Sequence, residues 1–269
     1  MKRVYLEITN ACNLNCPFCT YKKGNRFLSL EDIEDTISQI KPFCNYIYLH
    51  ILGEPTLHPN FNEILNLLDK NDFMLQLVTN GTLLYKYPDL LSHKSLRKLS
   101  ISLHSINNMD VDAEYFNNID SLIESNIDKT IELRFYDEKH LDNKLNNYLK
   151  KLKDKYDYTD TKKQNSYRLK DNLYVYFEKL FKWPDIHDEV IGSIGTCHGA
   201  IDMIGINSNL DVTICCLDPE AHNYLGNLKE KTLAEILESK EYLSYINDFK
   251  NHKINSELCK RCSYRLRFK

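Results

Sequence analysis

The chain has 269 residues and a formal net charge of −3, and 42% of its residues are hydrophobic and 27% charged. This length allows one large α/β domain, alone or with a small appendage, and the composition is that of a globular protein with a core. The small net charge gives no field that recruits nucleic acid, and no apolar run reaches membrane-spanning length, so neither partner is expected. The N-terminus lacks a signal-peptide core, which predicts a cytoplasmic protein.

Strand-like runs alternate with helical patterns through the first part of the chain. Runs rich in β-branched and aromatic residues lie at 3–9, 46–52, 73–79, 97–104, 129–136 and 172–178. Helical spacing of apolar residues occurs at 29–41, where Ser29 is the predicted N-cap, and at 60–70 and 112–126. This alternation predicts a parallel sheet with crossover helices. We therefore predict an α/β fold, a partial (β/α)6 TIM-like barrel, over residues 1–180.

The pattern changes near residue 181. Residues 181–197 are loop-like, and two strand runs at 200–207 and 211–217 are joined by a polar segment that predicts a β-hairpin. One helix is predicted over 232–249, and the basic end at 265–269 is predicted to be a solvated tail. Residues 181–269 are therefore expected to form a small C-terminal module, a hairpin plus helix, packed on the barrel.

Nine cysteines are unusual in a reducing compartment, where clustered cysteines more often bind metal or do redox work than form disulfides. Cys12, Cys16 and Cys19 supply three thiolates within eight residues. A structural zinc site needs a fourth ligand, for which Cys44 is conceivable, although core packing is its expected role. A 4Fe–4S cluster held by three cysteines instead leaves one iron open to a cofactor.

A second cysteine set lies near the end of the chain. It comprises Cys197, Cys215, Cys259 and Cys262, four thiolates that could close one cluster or one zinc site. Cys216 follows Cys215 directly, and neighbouring strand residues point to opposite faces, so only Cys215 is assigned as a ligand. Cys216 is predicted to be a buried apolar thiol, with hydrogen-atom donation as the catalytic alternative.

The first cysteine loop resembles a known family motif. The segment CNLNCPFC at 12–19 resembles the CxxxCxφC loop of the radical S-adenosylmethionine enzymes, with Phe18 as the aromatic residue near the adenine. The segment LGEP at 52–55 resembles the GGE motif of that family, with Leu52 in place of one glycine. The segments VTNGTLL at 78–84 and ISLHS at 101–105 resemble the ends of the third and fourth barrel strands, with His104 where an aspartate is common.

The resemblance implies the cofactor contacts. The implied S-adenosylmethionine contacts are Phe18, Gly53, Glu54, Pro55, Asn80 and Ser102, with Arg134 as a further candidate. Glu54 would engage the methionyl ammonium group and Ser102 the carboxylate. For Arg134, a surface or packing role is the alternative. Cys12, Cys16 and Cys19 would hold the cluster whose open iron binds the cofactor.

The C-terminal region resembles the SPASM/twitch region of many enzymes in the same family. A full SPASM region has further cysteines and two clusters, whereas this sequence stops at Lys269, so one auxiliary 4Fe–4S cluster is expected. The pattern of the whole chain is similar to that of the butirosin-pathway amino-sugar dehydrogenase. Zinc remains the alternative for this cysteine set, and a non-enzymatic zinc protein is the alternative for the whole chain.

The resemblance implies reductive cleavage of S-adenosylmethionine to a 5′-deoxyadenosyl radical, which abstracts a hydrogen atom from a substrate carbon. An external donor such as flavodoxin or ferredoxin would supply the electron. The favoured reading is a dehydrogenase-like oxidoreductase that acts on a small polar molecule such as a sugar or aminocyclitol. The alternative is a maturase that epimerises or crosslinks a ribosomal peptide. Because Cys12 lies close to Met1, no N-terminal peptide-recognition domain is expected.

Overall fold

Each of the six predicted strand runs forms a strand in the computed structural model, which describes residues 1–19, 24–126, 128–161, 165–179 and 182–268. The strands and α-helices in chain order are β1 (Arg3–Leu6), α1 (Leu30–Ile40), β2 (Tyr46–Tyr48), α2 (Phe61–Lys70), β3 (Met74–Thr79), β4 (Leu96–Ser102), α3 (Glu114–Ser125), β5 (Thr130–Phe135), α4 (Asn143–Lys155), β6 (Thr159–Asp160), β7 (Ser166–Lys170), β8 (Leu173–Phe177), β9 (Met203–Ile206), β10 (Asp211–Thr213), β11 (Tyr224–Asn227), α5 (Leu233–Glu238), α6 (Lys240–Lys250) and α7 (Glu257–Arg261).

The chain divides into two compact units. The first comprises residues 1–12, 17–73 and 181–269, and the second comprises residues 13–16 and 74–180. The predicted division into a barrel over 1–180 and a module over 181–269 follows the chain order, and it stays a prediction.

In the first unit, β1 pairs in parallel with β2 and β9. β10 joins β9 antiparallel and β11 joins β10 antiparallel, so the predicted hairpin is present. Along β1 the side chains of Val4 and Leu6 are fully buried, while Arg3 and Tyr5 are half-buried. This alternation places apolar side chains on one sheet face and polar ones on the other. The carboxyl ends of β1 and β2 lead into the cysteine loop and the LGEP segment.

In the second unit, β3, β4, β5 and β8 pair in parallel in that order. β7 and β6 extend the edge as antiparallel strands. The buried residues Leu99, Ile101, Ile131 and Leu133 form the apolar face. Lys98, Ser100, Ser102, Glu132 and Arg134 alternate with them and form a polar face. The fold class is therefore mixed α/β with mostly parallel strands, as predicted.

Several local predictions need correction. The first two strands end at Leu6 and Tyr48 rather than at 9 and 52, because the chain turns into its functional loops there. The predicted helix over 232–249 is two helices broken at Ser239, whose extended ψ of 148° ends α5 and whose side chain accepts from Tyr242 N to begin α6. Cys44 is buried in the core, as expected.

The basic end is not a solvated tail over its described part. Arg265 is buried, and its guanidinium donates hydrogen bonds to three main-chain carbonyls, those of Cys259, Ile194 and Gly192. Burial of an arginine is tolerated where hydrogen-bond partners surround it, which this end of the chain provides. Lys269 lies outside the described residues.

Candidate functional site

The first cysteine loop follows β1, and Cys12, Cys16 and Cys19 are all half-buried. The Cys16 thiol donates to the main-chain carbonyl of Ser105, with 3.4 Å between Sγ and O. Ser105 lies just beyond the carboxyl end of β4, the kind of edge at which α/β barrels place their chemistry. Ligation of a cluster by the three thiols stays a prediction.

Asn13 fastens the cysteine loop to the TNGT turn after β3. Its Oδ1 accepts from Asn80 Nδ2 at 2.9 Å, and its Nδ2 donates to Thr82 Oγ1 at 2.7 Å. Asn80 Oδ1 in turn accepts from the Thr82 amide at 3.0 Å and from its hydroxyl at 2.7 Å. The ring of hydrogen bonds sets the position of Asn80, a predicted cofactor contact. Sequence reading missed Asn13, because a loop asparagine gives no signal of its own.

The LGEP segment packs directly against the residues that precede Cys12. Gly53 has φ +75°, and a Cβ at this position would lie 2.2 Å from the Thr9 carbonyl oxygen. The Glu54 amide donates to the Ala11 carbonyl at 2.8 Å. The Glu54 carboxylate is only 2% exposed and accepts from the Thr56 amide and hydroxyl, which caps a short 3-10 turn that begins at Pro55. The backbone of this motif is therefore fixed relative to Thr9 and Ala11.

Ser102 and Arg134 are register partners at the carboxyl ends of β4 and β5. The Arg134 guanidinium forms an ion pair with the Glu178 carboxylate. Burial acts to lower the pKa of Arg134, but the charge and hydrogen bond of Glu178 raise it overall. This ion pair matches the packing role that is the alternative for Arg134. A contact between Arg134 and a cofactor stays a prediction.

His104 is a buried neutral histidine next to this pair. Its ring stacks on Tyr136 with centroids 3.9 Å apart, and its Nδ1 lies 3.2 Å from the Arg134 carbonyl. Burial, with the Arg134 charge, lowers the pKa of His104 to about 3. Because a carbonyl oxygen can only accept, His104 carries a proton on Nδ1 and donates it to that carbonyl. His58 is likewise buried, between the Leu28 carbonyl and the Asn60 amide.

The late cysteines converge in the first unit. Cys197, Cys215, Cys259 and Cys262 are half-buried, and each lies near others of the set. Burial raises the pKa of Cys215 well above its usual range, and the neighbouring Cys259 and Cys197 thiols raise it further. Burial also raises the pKa of Cys259 to about 12. A cation among these sulfurs would favour their thiolate forms, so four such thiols have the chemistry of iron–sulfur ligands, although their side chains as placed do not form a closed metal site.

Two family models match the chain. The radical SAM superfamily model matches residues 6–133, and the SPASM model, an iron–sulfur cluster-binding domain, matches residues 197–263. The chain carries a radical SAM domain and a SPASM domain. The first holds the Cys12 loop and the predicted cofactor motifs up to β5, and the second holds the hairpin and all four converging thiols.

Relatives share parts of this arrangement. The tungsten-containing aldehyde ferredoxin oxidoreductase cofactor-modifying protein of Pyrococcus furiosus is 38% identical over 93 residues, 31% of this chain and 25% of that protein. The structure of BtrN in complex with AdoMet and 2-DOIA superposes on this chain with a TM-score of 0.60 and 15% sequence identity. The match covers 97% of this chain and 92% of the BtrN chain. The structure of anSMEcpe with AdoMet and the Cp18Cys peptide covers 98% and 86%, with TM-score 0.65 and 16% identity. These structures share the fold.

The two domains imply the cofactors. A radical SAM domain implies S-adenosylmethionine and one 4Fe–4S cluster, and a SPASM domain implies additional iron–sulfur clusters. The chain matches only a quarter of the length of the first curated relative. Across the described part of the chain, no group of three or more His, Cys, Asp or Glu side chains is arranged to hold a metal ion. The assignment of individual ligands stays a prediction.

A buried polar network supports the CxxC segment of the SPASM domain. Ser256 caps α7, and its Oγ accepts from the Cys259 amide at 3.2 Å. The Ser256 hydroxyl also donates to Asn223 Oδ1, and the amide groups of Asn223 donate to the fully buried Asp218 carboxylate at 2.7 and 2.8 Å. Together with Arg265, which donates to the Cys259 carbonyl, this network fixes the main chain on both sides of Cys259.

Cys216 is half-buried as a residue, with its sulfur on the buried side. Burial raises the pKa of its thiol to about 12, although a hydrogen bond with the Tyr5 hydroxyl acts to lower it. The Tyr5 ring stacks on that of Tyr48 with centroids 4.4 Å apart. Cys216 therefore faces a phenol group as well as the neighbouring cysteine set, which is more polar than the predicted apolar environment.

A cavity of about 840 Å³ opens in the second unit, between the loop after β5 and the β7–β8 hairpin. Its lining includes Tyr136, Asp137, His140, Tyr167, Glu178 and Lys179. It contains aromatic rings beside carboxylates and a lysine, so it offers both hydrogen-bond donors and acceptors. Sequence reading did not find it, because its residues come from four separate segments of the chain.

No helix among the described residues is long and apolar enough to cross a membrane.

Proposed function

We propose that the chain is a radical SAM enzyme that acts on a carbon of a small polar molecule, such as a sugar or aminocyclitol, as a dehydrogenase-like oxidoreductase. The observation that carries the proposal is the cavity of about 840 Å³ at the carboxyl ends of β5 and β8. Pockets of roughly 300–1,000 Å³ are typical of sites for small ligands. Parallel strands direct such sites to their carboxyl ends.

The lining favours a polar ligand. Asp137 and Glu178 contribute carboxylates that can accept hydrogen bonds from hydroxyl or ammonium groups, and Tyr136 and Tyr167 contribute phenol groups. Glu178 also pairs with Arg134, a predicted cofactor contact, so one residue borders both the cavity and the predicted cofactor region of the second unit. The likeness to BtrN, whose structure holds AdoMet and 2-DOIA, supports the same class of substrate.

In this proposal Cys12, Cys16 and Cys19 hold the first cluster, and Cys197, Cys215, Cys259 and Cys262 hold one auxiliary cluster. When bound, the first cluster and S-adenosylmethionine would supply the radical chemistry that removes a hydrogen atom from a substrate carbon. The chain's own contribution is to hold the reacting carbon in reach and to exclude water. The fixed LGEP backbone and the Asn13–Asn80–Thr82 ring hold the predicted cofactor contacts in place for this task.

The alternative is a maturase acting on a ribosomal peptide. It is supported by the likeness to anSMEcpe in its peptide complex and by the thiol of the half-buried residue Cys216. A thiol S–H that gives a hydrogen atom to the opposite face of a substrate radical would invert that centre and become a thiyl radical. Loss of a proton from the substrate radical, with its electron passed to the auxiliary cluster, would instead oxidise the carbon. The two outcomes differ in their use of solvent hydrogen.

The test uses the full chain, reconstituted without oxygen and assayed in D2O with a chemical reductant and S-adenosylmethionine. We expect about eight iron atoms per chain, which is two cubanes at four each, and 5′-deoxyadenosine formation that rises when aminocyclitols or sugars are added. The product should contain a new carbonyl group and no deuterium on carbon. One deuterium at an inverted centre of a peptide would instead establish the maturase. Protein that contains zinc and no sulfide would refute both the dehydrogenase-like enzyme and the maturase.

A further inference from the structure

Glu7, just beyond β1, is a buried carboxylate with a hydrogen bond to each of two distant segments. Only 3% of the Glu7 surface is exposed to solvent. Oε2 accepts from the Leu52 amide at 2.9 Å, and Oε1 accepts from the Ser208 amide at 3.1 Å and the Ser208 hydroxyl at 2.7 Å. Both oxygens are therefore engaged by donors that are separated from Glu7 by 45 and 201 positions in the sequence.

The two segments belong to different parts of the site. Leu52 begins the LGEP motif, whose Gly53 packs on the Thr9 carbonyl and whose Glu54 amide donates to Ala11. Ser208 lies in the turn between β9 and β10, inside the segment matched by the SPASM model. One carboxylate thus joins the predicted cofactor turn to the hairpin of the iron–sulfur domain, within a single compact unit.

The chemistry of this position calls for a carboxylate. It must accept from two main-chain N–H groups and one hydroxyl, and an ionised carboxylate offers acceptors only. Glutamine has the same shape, but its NH2 group would face one of these donors and leave it without an acceptor. A buried donor left without a partner is costly, and bonds to a charged acceptor are the stronger ones.

The main chain around Glu7 has support that does not involve this side chain. The Glu7 amide donates to the Ile206 carbonyl at 2.8 Å, which continues the pairing of β1 with β9, and the Leu28 amide donates to the Ile8 carbonyl at 2.9 Å. Loss of the carboxylate should therefore leave the sheet paired. Its effect should fall on the LGEP turn, which has no strand ladder.

We propose that Glu7 is a positioning residue that sets the Leu52–Glu54 turn for S-adenosylmethionine and couples the position of that turn to the Ser208 turn of the SPASM domain. The inference rests on the proposed function, because it takes the LGEP turn as a cofactor contact. It predicts that a change in the SPASM hairpin alters cofactor affinity in the radical SAM domain.

The experiment measures S-adenosylmethionine affinity by calorimetry on the reconstituted full chain, for Glu7→Gln, Ser208→Ala and the double variant. Iron content and the change in the spectrum of the reduced cluster on cofactor addition are recorded in parallel. Glu7→Gln should weaken binding about 10-fold to 100-fold, the effect of losing one to two bonds to a charged acceptor. Ser208→Ala alone should weaken S-adenosylmethionine binding about 3-fold to 10-fold. In the double variant, the serine change should weaken binding by less than about 2-fold beyond Glu7→Gln alone.

Asp202→Asn is the matched control. Asp202 is another buried carboxylate next to β9, but it accepts from Lys2 and His198 at the opposite end of the strand. The Asp202→Asn variant should bind S-adenosylmethionine with a dissociation constant within about 2-fold of that of the unaltered chain. An equal loss in this variant would show that any buried carboxylate of the unit has the same effect, which would overturn the proposal.

The outcomes separate the two proposals. If the unaltered chain holds no iron and binds no S-adenosylmethionine, the proposed function fails. If it binds but Glu7→Gln binds equally well with its iron retained, the positioning role of Glu7 is refuted and the proposed function stands. If Glu7→Gln does not fold, Ser208→Ala decides, because it removes only a hydroxyl group. Unchanged affinity in Ser208→Ala refutes the coupling.

Discussion

Replacing Gly53 by alanine tests whether the LGEP turn is locked against the residues that precede the first cysteine. The residue has φ +75°, and the added Cβ would lie 2.2 Å from the Thr9 carbonyl oxygen and 2.9 Å from that of Ala11. Both atoms belong to the main chain, so no rotamer change can relieve the overlap. Either the turn or the start of the cysteine loop must move.

The magnitude follows from two terms. A non-glycine residue in the left-handed region costs about 1–2 kcal/mol, and overpacking of a tight site costs about 1–3 kcal/mol more. Gly53→Ala should therefore lower the free energy of unfolding by about 2–5 kcal/mol, a loss typical of a named structural defect rather than of a surface change. S-adenosylmethionine affinity should fall with it, because the displaced backbone includes Glu54.

Gly81→Ala is the control for the cost of placing an alanine in a left-handed backbone conformation. Gly81 has a similar φ of +82°, but its added Cβ would meet side-chain atoms rather than main-chain carbonyls, the Cγ2 methyl of Ile101 at 2.9 Å and the Tyr115 hydroxyl at 3.1 Å. Urea denaturation of both variants at equal protein concentration gives the comparison. The reasoning is refuted if Gly53→Ala loses no more than about 0.5 kcal/mol beyond Gly81→Ala, since the clash with fixed carbonyls would then contribute nothing.

Two further predictions concern a histidine and a supporting amide. The pKa of His104 is about 3 in the fold and about 6.5 in the unfolded chain, so the unfolded state binds the proton first and stability falls as the pH drops below 6.5. The loss should be about 1 kcal/mol between pH 6.5 and 5.5 and should be smaller in His104→Gln, as measured by denaturation at both pH values. Asn223→Ala should speed iron loss to a chelator by freeing the Ser256 cap of Cys259, whereas Asn227→Ala, on β11 away from that cap, should not.

The strands and the cysteine motifs were predictable from sequence because both signals are local. Alternation of apolar side chains marks strands such as β3 directly, and the spacing of Cys12, Cys16 and Cys19 is visible without any fold. Strand ends were less predictable. Tyr48 ends β2 although the apolar pattern continues through Ile51, because the chain leaves the ladder to form the LGEP turn.

The break at Ser239 shows a different limit. The apolar spacing on both sides of Ser239 is helical, so periodicity alone joins α5 and α6. The decisive signal is that a serine prefers the cap position, where its hydroxyl accepts from the Tyr242 amide, over a helix interior. Arg265 shows a third limit, since its burial depends on carbonyls of residues as far away as Gly192, which no window around residue 265 contains.

The residues that sequence reading missed share one physical task. The loops that carry the predicted ligands leave the sheets and lose the strand ladder, so their amide and hydroxyl donors need acceptors from side chains. Asn13 serves the turn after β3, Glu7 serves the LGEP and Ser208 turns, and Asn223 serves the CxxC segment through Ser256.

Cofactor binding and folding therefore depend on different sets of side chains. The sheets rest on buried apolar side chains and main-chain pairing, which none of these three side chains provides. Removal of one should therefore release only the loops that it holds while the sheets persist, because a lost polar contact typically costs about 1–3 kcal/mol against a total stability of about 5–15 kcal/mol. Cofactor or iron should be lost at denaturant concentrations where circular dichroism is still unchanged. A single coincident transition for iron release and unfolding in all three alanine variants would mean that the loops and sheets form one cooperative whole.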